Sequence, residues 1–203
     1  MDFISIVDYI GVAAFAATGV LKGIKHRLDV FGLLTLAVFT ALGGGLIRDA
    51  ILGVQPPKAF LNHAYWWIIL ATAAITLALY KKKFIKSDSL SLNIADAVGL
   101  GAFTFIGCKL AYLSGMGTAG VIFCGILTAV GGGVVRDLLV REIPAVLHQS
   151  VYATAALAGA LSYAALYRFF PGTPVLAGAV ITFSVVFIIR MMAIFNKWQL
   201  PKL

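Results

Sequence analysis

The chain has 203 residues, 61% of them hydrophobic and only 12% charged, with a mean hydropathy of +0.99 and a net charge of +8. Soluble domains carry roughly a quarter charged residues, so one water-soluble globule of this size is excluded and lipid must be the solvent. The positive balance then belongs to membrane topology and the lipid surface, not to nucleic acid. Cys108 and Cys124 both lie in apolar runs and act as small apolar fillers, with no disulfide framework implied.

A helical crossing takes roughly 20 apolar residues. On that measure the sequence predicts an all-α integral membrane protein with seven spans, over 4–21, 30–53, 63–80, 92–112, 117–140, 149–167 and 173–195. Short connections carry turn signals at Gln55-Pro56-Pro57, Pro144, Pro171-Gly172 and Pro174. The whole chain reads as one transmembrane domain: a three-helix unit over 1–86, a second over 87–170, and a seventh helix with a tail over 171–203. Met1-Asp2-Phe3-Ile4 lacks the basic flank of a signal peptide, so the first span is expected to be retained. Lys22, Lys25, Arg27, Lys81, Lys82, Lys83, Lys86, Arg141, Lys197 and Lys202 fall on one side, against Lys58, Lys109 and Arg168 on the other. The first side is expected to be cytoplasmic, with the C-terminus inside and the N-terminus outside a prokaryotic plasma membrane. Trp66 and Trp67 open the third span as an interfacial anchor.

Shifted by 88 residues, the sequence aligns with itself without a gap from Asp8–Pro56 to Asp96–Pro144. Asp8 meets Asp96, Phe15 meets Phe103, Thr40 meets Thr128, Gly43-Gly44-Gly45 meets Gly131-Gly132-Gly133, and Arg48-Asp49 meets Arg136-Asp137. Each unit holds three spans, an odd number, so the second must enter the membrane from the opposite side. An inverted-topology repeat of this kind suits transporters and channels, whose halves meet near the midplane.

Three consecutive glycines cost roughly 1 kcal/mol each against alanine in a helix. The two triplets are therefore expected to kink or unwind the second and fifth spans, freeing carbonyls that can ligate a monovalent cation. The competing reading is close helix packing, which small residues permit. Arg48 and Arg136 must face partners or water. Arg48 is expected within reach of Asp8 or Asp49, and Arg136 within reach of Asp96 or Asp137, giving two clusters of net charge −1 that favour cations. They also read as structural ion pairs. Thr40 and Thr128 either offer hydroxyls to an ion or bond their own helices. Lys22 and Lys109 are expected to snorkel from span ends, Arg190 to anchor the seventh span, His26 to be solvated, and His63 and His148 to sit at the interface. The Lys81–Lys86 cluster enforces topology. No P-loop, HExxH, metal spacing or serine elbow is present, so neither an enzyme nor a cofactor is expected.

Two three-span halves carrying GGGLIRD and GGGVVRD, plus a seventh span, resemble the trimeric intracellular cation channels in their prokaryotic form. The resemblance implies a homotrimer with one K+ pathway per subunit, less selective for Na+, lined by the kinked second and fifth spans. Gly43, Gly44, Gly45, Arg48, Asp49, Gly131, Gly132, Gly133, Arg136 and Asp137 carry over as pathway or gating elements. The Lys-Glu-Val stretch of animal members is absent, so lipid gating does not carry over. The same bacterial family includes members linked to uptake of small amino acids such as glycine, and a secondary transporter of that kind is the alternative.

Overall fold

The computed structural model describes residues 3–87, 89–148 and 151–198. Among these the chain is helical with no strand: α1 (Phe3–Lys25), α2 (Val30–Ile51), α3 (Lys58–Leu61), α4 (Ala64–Lys81), α5 (Ser89–Leu113), α6 (Thr118–Leu139), α7 (Ala145–His148), α8 (Ala153–Phe169) and α9 (Val175–Phe195). Met1, Asp2, Lys202 and the start of the sixth expected span, 149–150, lie outside the described residues. Six helices (α1, α2, α4, α5, α6 and α9) are long and apolar enough to cross a membrane. At 1.5 Å per residue, the 22 residues of α2 extend about 33 Å, a full hydrocarbon thickness. The α8 helix is shorter, at 17 residues.

The short α3 and α7 have no counterpart in the expected spans. Both follow prolines, Pro57 and Pro144, and both are tied to the preceding long helix by an aspartate. Asp49 Oδ2 accepts from the backbone N–H of Lys58 at 3.0 Å, and Asp137 Oδ2 accepts from that of Ala145 at 3.0 Å. Trp66 packs over α3 and donates to the Ala59 carbonyl at 3.0 Å, while Trp67 stays exposed.

At the centre α1 packs on α2 and α5, α2 on α6, and α5 on α6; α4 covers α1, while α8 and α9 cover the α5–α6 side. The outer faces present Phe31, Phe39, Ile75, Phe123 and Ile188, as a lipid-facing surface requires. The central contacts come in pairs that obey the 88-residue offset. Phe15 and Phe103 meet edge to face, with centroids 5.0 Å apart. A methyl placed on Gly11 would strike the Phe103 ring, and one placed on Gly99 would strike the Phe15 ring. Gly19 lies against the Leu36–Ala37 backbone of α2, and Gly107 against Cys124–Gly125 of α6.

Helical structure runs unbroken through both glycine triplets, which corrects the expected unwound stretch. The reason is tertiary. A methyl on Gly44 would collide with the Thr128 carbonyl oxygen, and one on Gly132 with that of Thr40, so the glycines let the backbones of α2 and α6 touch. In lipid a helix that unwound here would strand its polar groups. Contact between two intact helices costs less. Thr40 Oγ1 donates to Leu36 O at 2.5 Å and Thr128 Oγ1 to Cys124 O at 2.6 Å, so both buried hydroxyls bond their own helices.

The glycines differ in what they tolerate. A methyl on Gly43 would lie 3.4 Å from Val135 Cγ2, an ordinary van der Waals contact. Gly44→Ala or Gly132→Ala should destabilise the protein by about 1–3 kcal/mol, read as a lowered Tm in detergent, whereas Gly43→Ala should be near neutral. Equal effects at all three positions would contradict the seam.

Candidate functional site

The intramembrane charges gather in two clusters at opposite ends of the α2–α6 seam. In the first, the Arg48 guanidinium bonds its neighbour Asp49 through Nη2 at 2.8 Å and Nε at 2.9 Å, and all these groups are buried. The same Asp49 holds the start of α3 through its other oxygen. Asp8, on α1, accepts a hydrogen bond from the Tyr65 hydroxyl of α4 and shares a narrow cavity with Arg48, Asp49 and Lys58. Among the described residues Arg48 Nη1 has no hydrogen-bond partner. Of its two expected partners, Arg48 therefore takes Asp49.

The second cluster is more heavily knitted. Arg136 on α6 bridges Asp96 of α5 through Nη1 at 2.8 Å and Asp137 through Nε at 3.0 Å, and Nη1 also reaches Thr18 Oγ1 at 3.1 Å. Lys22, expected to snorkel, is instead buried: its Nζ lies 3.3 Å from Asp137 Oδ1 and 2.6 Å from Glu142 Oε2. His26, expected to be solvated, is half-buried with Nε2 2.7 Å from Glu142 Oε1. Two bases, Arg136 and Lys22, therefore meet three acids, Asp96, Asp137 and Glu142, a net −1 with His26 neutral. Arg190 is a third correction. It is buried, with Nη1 2.8 Å from the Val151 carbonyl and its guanidinium 4.9 Å over the Tyr152 ring, rather than anchored at an interface. Tyr152, Asp96 and Arg136 line one cavity with Asn93 and His148.

The structure thus brings Asp8, Arg48 and Asp49 together at one end and Asp96, Arg136 and Asp137 at the other. Gly43, Gly44, Gly131, Gly132, Thr40 and Thr128 lie in the seam between. Gly45 and Gly133 face away from it toward charge: a methyl on Gly45 would lie 3.5 Å from Arg48 Nη2, and one on Gly133 would lie 2.9 Å from the Tyr152 hydroxyl. Sequence reasoning missed Tyr65, Lys22, Glu142, Tyr152 and Arg190. The usable signal was a lysine or arginine inside an apolar run, which requires a partner from elsewhere in the chain.

A family model described as glycine transporter matches residues 5–81 and 93–168. Over 156 residues the chain is 41% identical to a UPF0126 membrane protein of Deinococcus radiodurans, spanning 76% of this chain and 72% of that one. The UPF0126 inner membrane protein YadS of Escherichia coli K12 is 36% identical over 194 residues, 96% of this chain and 92% of that one. Among solved structures, one described as showing the basis for conductance through TRIC cation channels superposes with a TM-score of 0.87 at 35% identity, over 100% of this chain and 98% of that one. The TRIC trimeric intracellular cation channel orthologue from Rhodobacter sphaeroides gives 0.87 at 32% identity, over 98% and 100%. The chain belongs to the TRIC family. It is an integral membrane protein, and its TRIC-family relative in Escherichia coli is named an inner membrane protein.

In this TRIC-family chain, α1 and α6 are strapped together at the second cluster by a carboxylate outside the membrane. Hydrogen bonds from Lys22, then from His26, hold the Glu142 carboxyl down at about 2, against an ordinary 4.5. A depressed folded value means that the strap stabilises the protein above about pH 4.5 and fades as pH falls toward 2. Glu142→Gln should therefore lower Tm at neutral pH, and its difference from wild type should shrink across that window. A difference independent of pH would remove the strap.

Proposed function

We propose that the chain is a monovalent cation channel that passes K+ foremost and Na+ less selectively, working as a homotrimer in the lipid of a prokaryotic plasma membrane with one pathway inside each subunit. The observation that carries this reading is the arrangement along α2 and α6: a seam of touching backbones at Gly44 and Gly132, with a buried acid–base cluster at each end. Carboxylates at the two mouths draw cations toward the seam and repel anions. The helices are shut against each other in this conformation, so conduction needs α2 and α6 to part. Two glycine faces can slide without dragging side chains past one another. Gly43–Gly45 and Gly131–Gly133 line the moving surface, Thr40 and Thr128 flank it, and Arg48, Asp49, Asp8, Arg136, Asp137 and Asp96 shape the mouths. The name of its relatives as cation channels, and the crystallisation of one of them in 0.5 M KCl, agree with this reading.

In the same reading α8 is the sixth of seven spans and α9 the seventh. The 17 residues of α8 extend about 25 Å, which a locally thinned bilayer accommodates. The halves α1–α4 and α5–α8 then form an inverted repeat, as the reciprocal Phe15–Phe103 and Gly44–Gly132 contacts suit. The lysine-rich end, which carries the second cluster, faces the cytoplasm.

The test is a planar-bilayer recording of the purified protein under a KCl gradient. Discrete unitary steps reversing near the K+ equilibrium potential are expected. Silence over many fusions, together with saturable glycine uptake into matched liposomes, would assign the chain to small amino-acid transport instead.

A further inference from the structure

At the end of the molecule that carries the first cluster, away from the seam, a pocket opens between α5, α6 and α8. It is lined by Tyr112, Gly117, Thr118, Tyr163, Tyr167 and Arg168, among others. Its polar groups are the hydroxyls of Tyr112, Thr118, Tyr163 and Tyr167 and the Arg168 guanidinium, with no carboxylate among the residues that line it. Behind two of the lining rings lies the buried Lys109, whose ammonium sits 5.4 Å from the Tyr167 ring centroid and 5.8 Å from that of Tyr112. The Tyr163 side chain is fully buried, and its hydroxyl has no hydrogen-bond partner among the described residues. The α6 helix begins at the pocket with Gly117 as its N-cap, so no side chain accepts from its first turn.

The first half of the repeat shows what is missing. Gly117 stands 88 residues after Asp29, whose carboxylate caps α2 by accepting from Gly32 N at 2.7 Å. The two caps share one backbone conformation, φ −71° and ψ 177° at Asp29 against φ −64° and ψ 165° at Gly117. The second half has kept the shape of the cap and lost its anion. No acid in the described chain replaces it. Asp29 serves α2, Asp8 serves Tyr65, Asp49 and the pair Asp96 and Asp137 serve the arginines, and Glu142 serves Lys22.

We propose that this pocket is a binding site for a phosphate oxyanion, held by the Lys109 ammonium, the Tyr163 hydroxyl and the open first turn of α6, with Arg168 at the mouth. A helix N-terminus and a desolvated ammonium both favour an anion over water. Its apolar Tyr and Met walls, at the end of membrane-crossing helices, suit the phosphodiester of a lipid headgroup, and a free phosphate would present the same oxygens.

The experiment is a thermal-shift titration of the purified full-length protein in detergent at constant ionic strength. Inorganic phosphate and a short-chain phosphatidylglycerol are the two probes. At least one should raise Tm. A response to the lipid alone assigns a headgroup site, and a response to both assigns a site for free phosphate. Lys109→Met and Tyr163→Phe should each weaken the apparent affinity by roughly tenfold or more, the loss of one charge-assisted or buried hydrogen bond. Gly117→Asp fits, since a Cβ there meets nothing within 4 Å. It should raise the ligand-free Tm and abolish the response, because the pocket then carries its own carboxylate. Should Lys109→Met not fold, Lys109→Arg must keep the response while Gly117→Asp loses it. No shift with either probe, or an undiminished shift in Gly117→Asp, overturns the site. The readout is binding, so it stands or falls separately from conduction.

Discussion

The contact on which the rest of the molecule depends is that of two helix backbones, α2 and α6, meeting at Gly44 and Gly132. Each glycine lies where any side chain would enter the partner's carbonyl, of Thr128 and Thr40 respectively. That approach draws the two halves together and places Phe15 against Phe103 behind the seam. It also aligns Arg48 and Arg136 at opposite ends. Between helices in lipid there is little hydrophobic drive, and association rests on van der Waals fit and polar pairing. A seam built from glycine is therefore both the tightest joint available there and the one with fewest side chains to move aside.

The buried charges do a different task. An isolated ion in this environment is costly, and a buried pair roughly recovers that cost without a large net gain. What the pairs contribute is position. The two ends are braced unequally: Arg136 engages Asp96, Asp137 and Thr18, and Lys22 with Glu142 extends the network to the end of α1. At the other end Arg48 holds only Asp49, and Asp8 depends on a tyrosine. Sequence symmetry at Asp8/Asp96 and Arg48/Arg136 thus coexists with asymmetric wiring, because Lys22 and Glu142 have no charged equivalents at the 88-residue offset (Leu110 and Val54).

Much of this was legible in the chain. Apolar length located the long helices to within a few residues, and the self-alignment named the residues that pair across the centre. Legibility failed at the glycines, where local propensity argues for a break. The dense packing around Gly44 and Gly132, and the penalty for unpaired backbone in lipid, outweigh roughly 1 kcal/mol per glycine. It failed again at α3 and α7, which are too short at 4 residues each to show a period. Lys22 with Glu142 and Asp8 with Tyr65 lie 120 and 57 residues apart, so only the fold could join them.

The central claim is that ions pass where α2 and α6 now touch. Gly43 and Val135 face each other across that seam, with a Cβ on Gly43 lying 3.6 Å from Val135 Cβ, a separation that suits a disulfide. The decisive measurement is the current through a Gly43→Cys, Val135→Cys protein in a background with Cys108 and Cys124 replaced by alanine. Oxidation should silence it and a reductant should restore it, in step with cross-linking read by mass spectrometry. A fully cross-linked protein that conducts as before would show that the seam is packing and that the ions pass elsewhere.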